Sequence, residues 1–171
     1  MSSAASSRTP LGAPVDPDVD LHVARRRRQR ALDPAVLLAV AAGGVVGAEA
    51  RYALTLLWPV HAGQWPIATW TANVTGSFLI GALMVVLLEL TAPHRLVRPF
   101  LGVGVLGGYT TFSTATVEVE KLFLSGRPGW AAAYLLGSVL SALVAVALGS
   151  VALRRAAATW ERRRTRREAT R

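Results

Sequence analysis

Apolar residues gather in four long blocks along the chain, separated by short polar stretches. The blocks cover residues 34–58, 66–90, 98–124 and 130–153. Each block has at least the roughly 20 residues that a helix needs to cross the hydrocarbon core of a bilayer. The pattern predicts an all-α membrane protein with four transmembrane helices, preceded by a tail over residues 1–33 and followed by a tail over residues 154–171.

The third block is interrupted about halfway along by glycine and polar residues, which read GGYTTFST over residues 107–114. Lipid offers no hydrogen bonds, so irregular backbone at membrane depth is tolerated only where it is buried in protein or lines a cavity. Such interruptions in membrane helices point to ion or substrate sites. We therefore predict a break in the third helix, and we expect the functional centre of the protein at this break.

The composition and motifs of the chain exclude several kinds of site and argue against an enzyme. The chain has no cysteine, which excludes disulfides and cysteine metal sites. Its three histidines, His22, His61 and His94, lie in the first tail or in connections and are not spaced as metal ligands. No nucleotide-binding loop, zinc-protease motif or nucleophile elbow is present. The sequence therefore gives no indication of an enzyme, and the Ser-, Pro- and charge-rich first tail is expected to be disordered.

The charged residues are distributed unevenly. The chain carries 19 Lys and Arg against 10 Asp and Glu, a net charge of +9. Arginines dominate both tails and the connection between the second and third blocks, whereas the opposite side holds only Lys121 and Arg127, with Arg51 near the end of the first block. The positive-inside rule then predicts a multi-pass plasma membrane protein with both termini in the cytoplasm. It explains the charge better than a nucleic-acid partner does, although a scaffold whose tails bind lipid or nucleic acid stays an alternative.

Polar side chains recur at helical spacing in the second and fourth blocks. Thr69, Asn73 and Ser77 share one helix face. The Asn73 amide is a neutral donor that can hold an anion without trapping it, and it can equally make a hydrogen bond between helices. The fourth block shows a similar stripe, which is either a polar track or a helix contact, and its members are Tyr134, Ser138 and Ser141.

The first block combines small and ionisable residues. Gly43 and Gly47 form a face that allows another helix to approach closely. Glu49 and Arg51 lie in the outer third of the block, where charged groups can reach the interface. An acid in the first helix is also a feature of small proton-coupled exporters of organic cations, so Glu49 supports that function as an alternative. Such an exporter would not explain the interruption in the third block.

Taken together, these motifs resemble the CrcB/Fluc family of fluoride channels over residues 36–153. The resemblance rests on GGVVGA at residues 43–48 followed by Arg51, on Asn73 followed by GSF, and on GGYTTFST followed by Glu118. It implies an antiparallel dimer with two narrow pores that let fluoride leave the cell passively, which lowers fluoride toxicity.

The same resemblance assigns roles to individual residues. The backbone carbonyls of Gly107 and Thr110 from each subunit would hold a structural Na⁺ at the dimer interface, and four carbonyl oxygens suit a hard cation. Arg51 matches a vestibule arginine, and Glu118 matches the family acid near the end of the third helix. The fluoride pore would be lined by Asn73, Phe112, Ser113, Thr114, Tyr134 and Ser138.

One position departs from the family pattern. The family usually carries a second phenylalanine three residues after the first, and this chain has Ala115 there. A homodimer of antiparallel chains also requires each chain to insert in both orientations, which the strong charge bias opposes. We therefore expect this chain to pair with a related subunit of opposite topology, in a heterodimer in contact with membrane lipid.

Overall fold

The structure is a computed structural model that describes residues 33–61, 63–91 and 93–168, and for residues 161 and 163–168 it describes the backbone alone. The predicted disordered tail lies outside the described residues apart from Asp33. Within the described part, the chain is helical and contains no strand.

Three helices are long and apolar enough to cross a membrane. Helix α1 spans Pro34–Leu57, and helix α2 spans Ile67–Val85 and continues without a gap through a π-helical turn at Val86–Leu90. The last helix, α5, spans Pro128–Glu168 and is apolar enough to cross a membrane between Pro128 and Trp160. These three helices coincide with the first, second and fourth predicted blocks. However, α5 does not end at residue 153 and remains helical through most of the basic C-terminal tail.

The third segment (residues 98–124) is built from shorter pieces. A π-helix at Arg98–Val105 leads into a single α-helical turn, α3, at Leu106–Tyr109. Regular structure then stops at residues 110–112, hereafter the interruption, and helix α4 begins at Ser113 and ends at Leu124. No one piece is long enough to span a bilayer, so a fourth crossing by the whole segment stays a prediction.

Glycines set the closest helix contacts. A Cβ atom placed on Gly43 or Gly47 of α1 would collide with backbone atoms of Phe100 or Val105 in the third segment. This confirms that the predicted small-residue face of α1 allows close approach. Helix α2 packs in the same way against α5, because a Cβ on Gly81 would meet the Val146 carbonyl. The glycines therefore allow these backbones to lie nearly in contact.

The buried core lies at one end of α4 and α5. Tyr134 is fully buried, and its ring packs edge-on against Trp65, with ring centroids 5.2 Å apart. Leu122 of α4 lies in the same cluster. The connection before α2 is held over this core by Arg127, whose Nη1 donates to the Gly63 carbonyl at 2.9 Å. The core therefore fixes α4 and α5 relative to the start of α2.

Candidate functional site

The interruption is held in place by an asparagine side chain from α2. Thr110 ends the α3 turn with extended backbone angles, φ −85° and ψ 153°. Asn73 then makes two hydrogen bonds to Thr111: its Oδ1 accepts from the Thr111 N–H at 2.8 Å, and its Nδ2 donates to the Thr111 carbonyl at 2.9 Å. The Asn73 amide thus provides hydrogen-bond partners for both backbone groups of Thr111, which lies outside the helices.

Two further side chains satisfy backbone groups near the interruption. Arg51 of α1 donates from Nε to the Gly108 carbonyl at 3.1 Å. The Thr111 hydroxyl oxygen accepts from the Thr114 N–H at 3.2 Å, a bond of the helix-capping type made by the residue before Phe112, which is the N-cap position of α4. Arg51 therefore contacts the α3 turn just before the interruption, in addition to the vestibule role implied by the family resemblance.

Three carbonyl oxygens at the interruption remain without a donor. In the part of the chain that the structure describes, no hydrogen bond ends on the carbonyls of Gly107, Tyr109 or Thr110. Buried or membrane-embedded carbonyls normally find a partner. Gly107 and Thr110 are the two residues predicted to hold Na⁺, and oxygen atoms of this kind are suitable ligands for a hard cation. The same described residues contain no cluster of His, Asp or Glu side chains that could hold a metal ion.

A groove of about 290 Å³ runs beside the interruption between α2, α4 and α5. Its wall is mainly apolar, with polar groups at a few positions. The wall includes Asn73, Thr111, Phe112, Ala115, Tyr134 and Ser138. Four of the predicted pore residues therefore share one cavity, and the position where the family has its second phenylalanine faces the same cavity as an alanine.

The hydroxyl groups in the groove differ in their hydrogen bonding. Ser138 Oγ is buried and, among the described side chains, is the one buried oxygen or nitrogen atom without a hydrogen-bond partner. Ser141, one turn further along α5, accepts from Trp70 Nε1 at 3.1 Å and so connects α5 to α2. The predicted stripe of the fourth block thus includes a helix contact at Ser141 and an unpaired hydroxyl in the groove at Ser138.

Glu118 lies at the end of the groove nearest the buried core. Its two carboxylate oxygens accept hydrogen bonds from the Thr69 hydroxyl at 2.7 Å and from the Tyr134 hydroxyl at 2.8 Å. Glu118 also lines a second cavity of about 310 Å³, the loop pocket, together with His61 and Lys121. This carboxylate therefore lies between the groove and a pocket under the first connecting loop.

Other predicted pore residues lie elsewhere in the single chain. Ser113 is exposed and Thr114 is half-buried, and neither belongs to the groove wall. Phe112 touches the groove but is 78% exposed, so its ring has little protein around it. Glu49 is exposed on α1 and does not line the groove. The structure therefore brings Asn73, Tyr134 and Ser138 together in the groove, with Phe112 at its edge, and leaves Ser113 and Thr114 outside it.

Sequence reasoning missed Thr111, which contacts Asn73, Ser113 and Thr114 at once. The signal was present, because a threonine just before a helix often accepts a hydrogen bond from an N–H of the first turn, here that of Thr114. The family resemblance assigned roles to the neighbouring residues Thr110 and Phe112 but none to Thr111.

Comparison with known proteins places these features in a family. The family model described as "CrcB-like protein, Camphor Resistance (CrcB)" matches residues 38–150. The chain is 52% identical over 123 residues to Fluoride-specific ion channel FluC 2 of Nocardia farcinica, covering 72% of this chain and 88% of that protein. It is 51% identical over 120 residues to FluC 1 of Streptomyces coelicolor (70% and 78% covered) and 46% identical over 125 residues to FluC 2 of Streptomyces avermitilis (72% and 79% covered). With two thirds of its length matched, the chain belongs to the CrcB family.

Proposed function

We propose that this chain is a subunit of a fluoride channel that lets fluoride leave the cell passively. The observation that carries the proposal is the interrupted third segment, clamped by Asn73 beside a groove that also holds Tyr134 and an unpaired Ser138 hydroxyl. A pore selective for a small, strongly hydrated anion must replace its water by donors of this kind. The relatives named fluoride-specific ion channels support the same function.

The fluoride path follows the groove. The Asn73 Nδ2 group has a second N–H besides the one used on Thr111, and the Ser138 hydroxyl can turn its hydrogen into the groove. The edge of an aromatic ring such as Phe112 is electropositive and can face an anion. Since Phe112 is largely exposed in the single chain, a second subunit must cover it to complete the pore.

A dimer of antiparallel chains also accounts for the unpaired carbonyls. Gly107 has open space around its α-carbon, so its surface is available to a second subunit. Two subunits that meet there would bring together the Gly107 and Thr110 carbonyls of each, four oxygens in all, around a structural Na⁺. The ion would supply positive charge beside the anion path and would satisfy carbonyls that lack a donor.

The partner subunit is a related chain of opposite topology. Charge bias directs this chain to insert with both termini in the cytoplasm, which an antiparallel homodimer would contradict. Ala115 leaves the groove without the second aromatic ring of the family, so this chain is specialised. The numerals in the relatives' names, FluC 1 and FluC 2, fit organisms that make more than one such chain.

Fluoride efflux from liposomes tests the function. The chain is reconstituted alone and together with a related chain whose flanking charges are reversed, and fluoride is followed with a selective electrode. We expect flux from the pair, little flux from the chain alone, and no chloride flux from either. Phe112→Ala should reduce the flux, whereas Phe123→Ala, an exposed phenylalanine of α4 that does not line the groove, should not. Absence of fluoride flux from every combination would refute the proposal.

Single-cysteine labelling tests the orientation. Because the chain has no cysteine, Gln64→Cys and Thr159→Cys each introduce one thiol. In intact cells an impermeant maleimide should label the first and not the second. Labelling of both positions from outside would show mixed insertion and would remove the argument for a heterodimer.

A further inference from the structure

Two side chains divert the backbone donors that a continuous helix would deliver to Gly107 and Thr110. In an α-helix each N–H bonds the carbonyl four residues earlier, so Thr111 would donate to Gly107, and Thr114 to Thr110. Here the Thr111 N–H donates to Asn73 Oδ1 at 2.8 Å instead. The Thr114 N–H donates to Thr111 Oγ1 at 3.2 Å.

We infer that Asn73 and Thr111 are positioning residues that decide which carbonyls at the interruption are free to bind a cation. The inference rests on the proposed function, because it concerns the Na⁺ site of the channel. The hydrogen bonds of two neighbouring carbonyls support the inference. The Gly108 carbonyl accepts from Arg51 Nε, and the Thr111 carbonyl accepts from Asn73 Nδ2. Side chains therefore occupy the carbonyls of Gly108 and Thr111, although not that of Tyr109, and they remove the competing donors from Gly107 and Thr110 themselves.

The Thr111 hydroxyl is the part of this arrangement that can be removed most cleanly. An N–H group away from water needs an acceptor. Without the hydroxyl, the Thr114 N–H would return to the Thr110 carbonyl by adding a turn to the start of α4. The Thr110 oxygen would keep one lone pair for the cation, so its ligand strength would fall without vanishing.

A role in helix capping alone makes a different prediction. A cap that serves only stability would lower the melting temperature equally with and without Na⁺. A residue that frees a Na⁺ ligand must also change the Na⁺ concentration that gives half of the maximal stabilisation. This midpoint is therefore the quantity to measure.

The proposed site takes two carbonyls from each subunit, so the test uses this chain co-purified in mild detergent with the related chain of opposite topology. The pair is melted in a series of NaCl concentrations with choline chloride keeping the ionic strength constant. Thr111→Val removes the acceptor at nearly constant volume, and we expect the Na⁺ midpoint to rise about ten-fold, as for the loss of one good hydrogen-bond acceptor. Thr111→Ser keeps the hydroxyl and should restore the midpoint to within about two-fold. The control is Thr116→Val, since the Thr116 hydroxyl donates to the Phe112 carbonyl at 3.0 Å and touches neither cation ligand.

The inference is overturned if Thr111→Val and Thr116→Val have the same Na⁺ midpoint, or if the unmodified protein is not stabilised by Na⁺. Should Thr111→Val not be recovered in folded form, Thr111→Ala removes the same acceptor with a smaller side chain and is judged by the same criterion. Fluoride flux is measured separately on the unmodified pair. A shifted midpoint without any fluoride flux would support the inference and count against the proposed function alone.

Discussion

The contact between α1 and the third segment can be tested at Gly47. An alanine Cβ there would lie 2.8 Å from the backbone nitrogen of Tyr109 and 2.9 Å from the carbonyl carbon of Val105, and closer still to the Val105 oxygen. Ordinary contacts of a Cβ atom begin near 3.4 Å. Because all the neighbours are backbone atoms, no side chain can move aside, and α1 must separate from the third segment by about 1 Å or more to clear the Val105 oxygen. Overpacking of this kind costs about 1–3 kcal/mol in free energy of unfolding.

Gly44→Ala is the matched control for Gly47→Ala. It lies in the same helix, and an added Cβ would meet nothing within 4 Å in the chain. Both substitutions gain about the same helix propensity, roughly 1 kcal/mol, so the difference between them isolates the packing cost. Unfolding in mixed detergent micelles is followed by far-UV circular dichroism. The free energy of unfolding of Gly47→Ala should be about 1–3 kcal/mol lower than that of Gly44→Ala. Equal unfolding midpoints would show that the helices do not meet at Gly47 as described.

Two of the three further predictions concern the groove, and one concerns an ion pair between the later parts of α2 and α5. Tyr134→Phe leaves one oxygen of the half-buried Glu118 carboxylate without its donor and should lower the free energy of unfolding by about 1–3 kcal/mol, measured by the same detergent titration; an unchanged value would contradict the 2.8 Å hydrogen bond. The exposed, bidentate ion pair between Arg154 and Glu89 should show, in a double-mutant cycle, a coupling that falls as salt is added, and a salt-independent coupling would argue against a simple surface pair. Ala115→Phe places a ring in the groove at the position where the family usually has one, and fluoride flux of the reconstituted pair should rise; a decrease would mean that the groove is closed by the added ring.

The helical framework was largely predictable because hydrophobic length is a strong signal. The blocks at residues 34–58 and 66–90 match α1 and α2 to within a residue or so. The exact place of the interruption was less predictable. The pair Gly107 and Gly108 belongs to the helical turn α3, and neither has a positive φ. Gly108 is needed for close approach to α1, a role that the sequence alone cannot separate from helix breaking.

The site was predictable in its members but not in their partners. Asn73 was expected as a hydrogen-bonding group, with an anion or a helix as its partner, and the structure gives it the backbone of Thr111. Ser138 and Ser141 are both serines on the same predicted face of the fourth block. The Ser138 hydroxyl nevertheless has no hydrogen-bond partner, whereas the Ser141 hydroxyl accepts from Trp70. Such differences depend on how α2 and α5 are rotated against each other, which residue spacing does not specify. Phe112, Ser113 and Thr114 are consecutive, yet of these three only Phe112 lines the groove, because successive residues at the start of a helix point in different directions.

The length of α5 has a practical consequence. Its 41 residues, at a rise of 1.5 Å each, form a rod about 61 Å long, twice the thickness of the hydrocarbon layer. Standing along the bilayer normal, the rod therefore extends beyond the hydrocarbon layer over about half of its length. A fluorophore attached beyond Glu168 would be held outside the hydrocarbon layer on a rigid helix, and energy transfer from it to a bilayer labelled in one leaflet only would report the side of the membrane on which it lies.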